Sequence, residues 1–342
     1  MKKAAIIYIT DNGLRLAERL KVWSPGAEIV RFASGVIGDL WAGHDALVFI
    51  MASGIVVRTI APLLKDKKTD PAVVVLDEAG KFSVSLVSGH LGGANELARE
   101  IARFLGGEAV ITTASDVNGL PSIDLWARGS DLTIENWDAL PIVSTRYVNN
   151  GGLRIYCDQT LKLPEEFLRV ADPRFADVIV TNQLDVYKEA PQCGIIGEAC
   201  ATGACKVKGQ VYLRPHDLVI GIGCNSATSE DEIETAVRTT LEEQNLSFQS
   251  ITGIATIDIK AEEPGLKAFC TGHKFPLRTY RADELNRIEG LDRSEMVFKA
   301  TGAHAVAEPA ALLAAGNATE LLVRKQKKGN VTIAVAKAGR EK

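Results

Sequence analysis

Residues 72–113 read AVVVLDEAGKFSVSLVSGHLGGANELAREIARFLGGEAVITT, and their pattern decides the fold class. Two runs rich in β-branched residues, Ala72 to Asp77 and Phe82 to Leu86, precede a loop with three glycines. A segment with apolar residues at helical spacing, Ala94 to Leu105, comes next, and another β-branched run, Ala109 to Thr113, closes the stretch. Strand signals alternating with helical periodicity mark a sheet with helices packed on it. Toward the amino terminus the alternation continues, with strands at Ala4 to Thr10, Glu28 to Phe32 and Ala46 to Met51 and helices around Gly13 to Lys21 and after Ser53-Gly54. The unbroken apolar run Ala46 to Met51 suits a strand buried on both faces, the habit of parallel sheets. Residues 1–131 therefore predict an α/β domain built on a doubly wound, mostly parallel sheet.

In the other direction the signal weakens. Residues 132–215 are punctuated by Asn149-Asn150-Gly151-Gly152, Asp172-Pro173 and Pro191, and show little helical periodicity. They predict a small central domain of strands and loops, with strands at Asp177 to Thr181 and Gln210 to Leu213. In residues 216–342 the alternation resumes as a C-terminal α/β domain. Leu218 to Gly223, Ile251 to Ile257 and Pro276 to Tyr280 read as strands, and Glu263 to Cys270 and Glu308 to Ala315 as helices. Ser229 followed by Glu232 is a capping-box pattern that starts another helix, and Pro309 stands at an allowed first-turn position. Strands Glu320 to Arg324 and Val331 to Ala336 flank a basic turn, Lys325 to Gly329.

Composition narrows the function classes. With 342 residues, 46% apolar and 24% charged, the chain is an ordinary globular one of two or three core-forming units. A net charge of -4 excludes a general nucleic-acid binder, which needs a dense basic face to displace counterions. The start, Met1-Lys2-Lys3 and then Ala4 to Ile9, resembles a signal peptide, but Asp11 and Asn12 end the apolar run too early. No segment approaches the roughly 18 apolar residues of a membrane span, so no membrane partner and a cytoplasmic location are expected. Six cysteines are too few for a disulfide scaffold in a chain of this length. Cys193, Cys200 and Cys205 lack zinc-finger or ferredoxin spacing and are read as reduced structural thiols, with an iron–sulfur or zinc site as the alternative. Metal spacing such as His-Glu-x-x-His is absent, so no protein-bound metal is expected.

Chemistry is sought at loops that follow strands, where backbone N–H groups point outward. Ala52-Ser53-Gly54-Ile55 is either a tight turn or a close approach to a ligand oxygen. In Ser88-Gly89-His90-Leu91-Gly92-Gly93-Ala94-Asn95, His90 is placed to act as acid or base near neutral pH, or else to orient the turn. Thr112-Thr113-Ala114-Ser115-Asp116, followed by Asn118-Gly119 and Asp124, gathers hydroxyls and carboxylates; Asp116 either binds water or caps a helix. Gly221-Ile222-Gly223-Cys224-Asn225 resembles a phosphate cradle without the P-loop lysine. His304 and Glu308, four apart, share a face if the turn between them is helical. The Gly-x-Ser-x-Gly elbow of serine hydrolases is missing.

Taken jointly, Met51-Ala52-Ser53-Gly54-Ile55-Val56-Val57-Arg58, Val87 through Asn95, Thr112 through Asp116, Gly221 through Cys224, the capped helix from Ser229 and Val306 through Leu312 resemble the cobalt-precorrin-5A hydrolase (CbiG) family of anaerobic cobalamin biosynthesis. Where that family often carries an arginine-rich stretch after the Gly-Cys turn, this chain has Asn225-Ser226-Ala227. The resemblance implies opening of a δ-lactone between the ring A acetate and the methylated bridging carbon, with that carbon leaving as acetaldehyde. It implies a cobalt-corrinoid substrate that brings its own cobalt, no further cofactor, and transient contact with neighbouring methyltransferases; a homo-oligomer is compatible with it. Under it, His90 or Asp116 activates water, and Glu308 or His304 handles the second proton transfer. Gly54, Gly92 and Gly93 supply oxyanion donors if their N–H groups converge. Ser53, Arg58, Ser88, Asn95, Gly223 and Cys224 complete the expected substrate contacts, Arg58, Lys65, Lys67 and Lys68 offering charge to a polycarboxylate. The competing expectation is a non-catalytic corrinoid-binding or handover protein, because the C-terminal domain also resembles a non-hydrolytic domain of the pathway. A methyltransferase fits less well, for want of an S-adenosylmethionine loop.

Overall fold

The computed structural model describes residues 3–186, 209–316 and 320–339; Cys193, Cys200 and Cys205 lie outside them. The chain forms two compact units, Met1–Trp126 with Val148–Gly151, and Ala127–Tyr147 with Gly152–Lys342.

The first unit runs β1 (Ala4–Tyr8), α1 (Asp11–Trp23), β2 (Glu28–Arg31), α2 (Ile37–Gly43), β3 (Ala46–Ile50), α3 (Ser53–Ile60), β4 (Ala72–Leu76), β5 (Phe82–Val87), α4 (Ala94–Leu105), β6 (Glu108–Val110), α5 (Ala114–Val117) and the start of α6 (Ile123–Gly129). Its sheet has the order β2-β1-β3-β4-β5-β6. Every residue of β3 and of β4 is buried, which explains their continuous apolar reading. Each such Val, Leu or Phe contributes about 1.5–3 kcal/mol when it leaves water. Alternate residues of these strands point to opposite faces: Val48, Ile50, Val74 and Leu76 pack with α1 and α4, and Leu47, Phe49, Val73 and Val75 with α2 and α3. Thr10 caps α1 by accepting the Gly13 N–H at 3.1 Å.

The sheet is not parallel throughout. β1 to β4 run together, but β5 is antiparallel to β4, and β6 follows β5. The five residues Asp77 to Lys81 between β4 and β5 leave room only for a hairpin, because a parallel crossover needs a dozen or more. Asp77 organises that hairpin by accepting the N–H groups of Ala79 and Phe82, and Gly80 takes a positive φ of 67°. The loops after β5 and β6 consequently emerge on the rim opposite the loops after β1, β3 and β4.

The second unit holds two sheets. The first combines β7 (Leu132–Ile134), β8 (Leu153–Cys157), β9 (Phe167–Arg169), β10 (Val178–Val180) and β11 (Val211–Pro215) in the order β7-β11-β10-β8-β9, with β7 antiparallel. The central segment also contains α7 (Leu140–Asn150), where the sequence predicts mainly strands and loops. Its buried residues Leu140, Val143 and Tyr147 are spaced three and four apart, and Tyr147 meets Phe167 edge-on at 5.8 Å. Tertiary packing thus overrides the weak helical propensity of a β-branched run.

The remaining elements are β12 (Leu218–Cys224), α8 (Glu230–Glu243), β13 (Ile251–Ile257), α9 (Pro264–His273), β14 (Leu277–Tyr280), α10 (Ala282–Leu285), α11 (Glu295–Thr301), α12 (Ala307–Ala314), β15 (Leu321–Lys328) and β16 (Val331–Lys337). The order of the third sheet is β14-β13-β12-β16-β15, with β12, β13 and β14 parallel and the β15–β16 hairpin antiparallel. The basic residues expected in a turn belong to β15; the turn is Gly329-Asn330 alone, since Lys328 pairs with Val331. Lysines suit that outer strand because they discourage further edge pairing. The capping box is half formed. Ser229 accepts the Glu232 N–H at 3.2 Å, whereas the Glu232 carboxylate reaches across to accept the Asn330 N–H at 3.0 Å. No helix among the described residues is long and apolar enough to cross a membrane.

Candidate functional site

The glycine-rich loop after β5 is folded tightly on itself. Ala94 N–H donates to Ser88 O at 3.1 Å and Asn95 N–H to Gly89 O at 3.0 Å. Ser88 sits in the left-handed region with φ 59°, and Gly93 enters α4 at φ 89°. For serine the left-handed conformation costs about 1–2 kcal/mol, and the Ser88 hydroxyl is buried without a hydrogen-bond partner among the described residues. Gly92 has to be glycine because a Cβ there would lie 2.4 Å from Ser88 Cβ and 2.6 Å from Ser88 O. At Gly89 a Cβ would lie 2.6 Å from the Asn95 side-chain oxygen.

This winding sets the His90 ring between two carboxylates from separate elements. Nε2 lies 2.9 Å from Asp116 Oδ2, on α5. On the other side Nδ1 lies 3.1 Å from Ser122 Oγ and 3.5 Å from Asp124 Oδ1, at the start of α6. Asp116 is itself held from α4: Asn95 Nδ2 donates to Oδ2 at 2.9 Å, and an Arg99 guanidinium nitrogen to Oδ1 at 2.5 Å. Asn95 and Arg99, four apart on one helix, reach the same carboxylate because that spacing puts them on one face. Asn95 is fixed in turn by Ser85 Oγ and Thr113 Oγ1.

The electrostatics follow from these contacts. The hydrogen bond to Asp124 raises the His90 pKa above its ordinary 6.5; burial opposes this, and the bond to Asp116 adds to it. Burial alone would raise the pKa values of Asp116 and Asp124, yet the bonds from Arg99 and His90 to the first, and from His90 and Ser122 to the second, hold both below 3.8. His90 therefore holds its proton more tightly than a free imidazole, and Asp116, already accepting from three side chains, is a weak base. The structure brings together the two residues expected to activate water, His90 and Asp116.

The other expected residues lie elsewhere. Ser53, Gly54 and Arg58 are exposed on the opposite rim of the sheet, where Ser53 lines a cavity of about 710 Å³ with Thr10, Asp77 and Glu78. A five-residue strand spans about 16 Å, so Gly54 cannot converge with Gly92 and Gly93 on one carbonyl oxygen. The N–H groups of the two loops leave on different rims. Arg58 donates to its own helix at Gly54 O, 3.1 Å. Gly92 and Gly93 border an apolar groove of about 460 Å³ floored by Ala4, Ala46 and Ala72, which stand side by side on β1, β3 and β4.

In the second unit the helical turn that would pair His304 with Glu308 is absent, because α12 begins only at Ala307. Glu308 is buried and accepts the Lys325 N–H at 3.2 Å. His304 stacks on Phe298 at 4.5 Å, and its backbone N–H donates to Asn286. Gly221 has a packing reason to be glycine: a Cβ would fall 1.8 Å from Ala307 O, where α12 crosses β12. Gly223 and Cys224 end β12, and burial pushes the Cys224 thiol pKa up, with Lys260 working against it. Sequence reasoning missed Arg99 and Ser122 altogether and gave Asp124 no partner. The signal for Arg99 was present, in its spacing from Asn95.

Three α/β sheets, with a histidine held between two carboxylates beside a glycine-rich loop in the first unit, define the class of protein to compare. Residues 35–116 match the family model described as cobalamin synthesis G N-terminal, and residues 218–336 the one described as cobalamin synthesis G C-terminus; the chain belongs to the cobalamin synthesis G family. It is 36% identical, over 97% of its length and 94% of the relative's, to the cobalt-precorrin-5A hydrolase of Priestia megaterium. To the cobalt-precorrin-5A hydrolase of Salmonella typhimurium it is 32% identical, over 90% of this chain and 91% of the relative. A shorter match, 33% identical over 35% of this chain and 79% of the relative, is to Protein CobE of Sinorhizobium sp.

Proposed function

We propose that this chain is a cobalt-precorrin-5A hydrolase that opens the ring A δ-lactone of a cobalt-corrinoid and releases acetaldehyde. The observation that carries the reading is the 36% identity to the Priestia megaterium hydrolase over nearly the full length of both chains. The His90 site supplies matching chemistry. Water adds to the lactone carbonyl, the acyl carbon–oxygen bond breaks, and the oxygen on the methylated bridging carbon takes a proton from the His90 imidazolium. That hydroxyl then loses its proton as its carbon becomes the aldehyde carbon of acetaldehyde. The bond to the macrocycle breaks, the electron pair stays on the macrocycle, and a proton is taken up there. Hydrolysis asks only for water and proton transfers, so cobalt enters as part of the substrate and no further cofactor takes part.

The test is incubation of the purified protein with the lactone intermediate. Stoichiometric acetaldehyde and a ring-opened corrinoid are expected. Ligand recovered unchanged from a stable complex would refute catalysis in favour of carriage, and a requirement for a methyl donor would refute hydrolysis.

A further inference from the structure

Two carboxylates flank His90, and they differ in setting. The Asp124 side chain is 8% exposed and that of Asp116 17%. Asp124 is tied down locally: Oδ1 accepts the Leu125 N–H at 3.0 Å and also the Ser122 hydroxyl. Ser122 Oγ is at the same time the nearest neighbour of His90 Nδ1, at 3.1 Å, with Asp124 Oδ1 behind it at 3.5 Å. The Nδ1 side of the ring therefore faces a closed, prearranged acceptor pair, whereas the Nε2 side faces the more open Asp116.

We propose that Asp124, acting with the Ser122 hydroxyl, is a positioning residue that fixes the His90 ring through Nδ1 and leaves Nε2 as the nitrogen that gives its proton to the substrate. The proposal rests on the acid role given to His90 above. It divides the labour between the carboxylates: Asp124 orients the ring, and Asp116 is the acceptor from which an arriving oxygen takes over the Nε2 proton. The groups facing His90 are Asp116 and Ser115 from α5 and Ser122 and Asp124 from the start of α6. From α4, Asn95 and Arg99 act on it through Asp116, and Glu96 pairs with Arg99 at 3.4 Å. The raised pKa of His90, with the bond to Asp124 as its leading cause, agrees with the clamp.

The experiment compares the full-length chain with its Asp124→Asn and Ser122→Ala variants in two measurements. The first is the pH profile of acetaldehyde release. Asp124→Asn should lower kcat about 10²-fold with little change in KM, and should move the alkaline limb to lower pH, because an acid that holds its proton less tightly fails earlier as pH rises. Ser122→Ala should shift the limb the same way and less far. The second is NMR titration of the His90 ring, which needs no turnover: the midpoint should fall in both variants, with Nδ1 the nitrogen whose chemical shift responds most. An Asp124→Asn variant that loses rate while the limb and the ring titration stay in place would overturn the proposal, as would isolation of a covalent acyl adduct on Ser122. If the wild-type protein makes no acetaldehyde, the hydrolase reading fails, and the NMR titration still decides the clamp.

Discussion

Gly92 stands in the loop after β5 and Gly54 in the first turn of α3, just after β3, and alanine at the two positions should act in opposite directions. At Gly92 the new Cβ would sit 2.4 Å from Ser88 Cβ and 2.6 Å from Ser88 O, about 1 Å inside the ~3.5 Å of ordinary carbon contact. Both obstacles belong to the backbone or Cβ of the same loop, so the loop has to open, and the displacement passes to His90 two residues away. A shift of about 1 Å at a reacting group costs on the order of 10²-fold in rate, and overpacking of this kind about 1–3 kcal/mol in stability. At Gly54 the nearest atom to an added Cβ is the tip of the flexible Arg58 side chain, at 3.3 Å. The residue lies within α3, where alanine is better than glycine by about 0.5–1 kcal/mol. Gly54→Ala should therefore keep its turnover and melt slightly higher. The assay couples acetaldehyde to alcohol dehydrogenase and follows NADH loss, with thermal unfolding recorded on the same samples. Wild-type rate and stability in Gly92→Ala, or an equal loss of rate in Gly54→Ala, would refute the placement of the chemistry at the His90 rim.

Replacing His90 by Gln should cut kcat by about 10²–10⁴-fold, the usual worth of a positioned acid, with KM for the corrinoid little changed in steady-state kinetics. Because the folded pKa of His90 lies above 6.5, its contribution to stability is complete below pH 6.5 and is lost as pH rises through the elevated value; denaturant unfolding of wild type against His90→Gln across that window should show the difference shrinking. Asp116 and Asp124, both depressed below 3.8, contribute above that pH and lose the contribution as pH falls through their folded values, so acid titration of Asp124→Asn should show a smaller loss of stability than wild type. Gly221→Ala would drive a Cβ to 1.8 Å from Ala307 O and should lower the melting temperature sharply or abolish soluble expression, while Gly223→Ala, whose nearest neighbours are at 3.7 and 3.8 Å, should be tolerated.

Strand and helix positions in the first unit were legible because β3 and β4 are buried on both faces and α4 has a strong apolar stripe. Strand direction was less so. A doubly wound reading takes β5 as parallel, although the five residues Asp77 to Lys81 already forbid it. α7 escaped because Ile142, Val143, Thr145 and Val148 favour strands, and only packing against Phe167 and the second sheet reveals Leu140, Val143 and Tyr147 as one helical face. In the candidate site, the pairing of His90 with Asp116 joins residues 26 apart in sequence. Glycine loops and hydroxyl clusters hinted at each half, and the parallel pairing of β5 with β6 puts both on one rim, but the contact itself depends on the winding of the loop after β5, which leaves no local pattern. The closeness of Ser122 and Asp124 to the same ring depends on the path of the chain from α5 into α6, which carries no periodic signal.

The hairpin between β4 and β5 gives the N-terminal sheet carboxyl-end loops on both of its rims. A protein engineer can therefore graft or randomise the segments after β1, β3 and β4 as one library while the histidine assembly on the far side keeps its coordinates. Selection has the same freedom, so the two rims can drift at independent rates around one shared sheet.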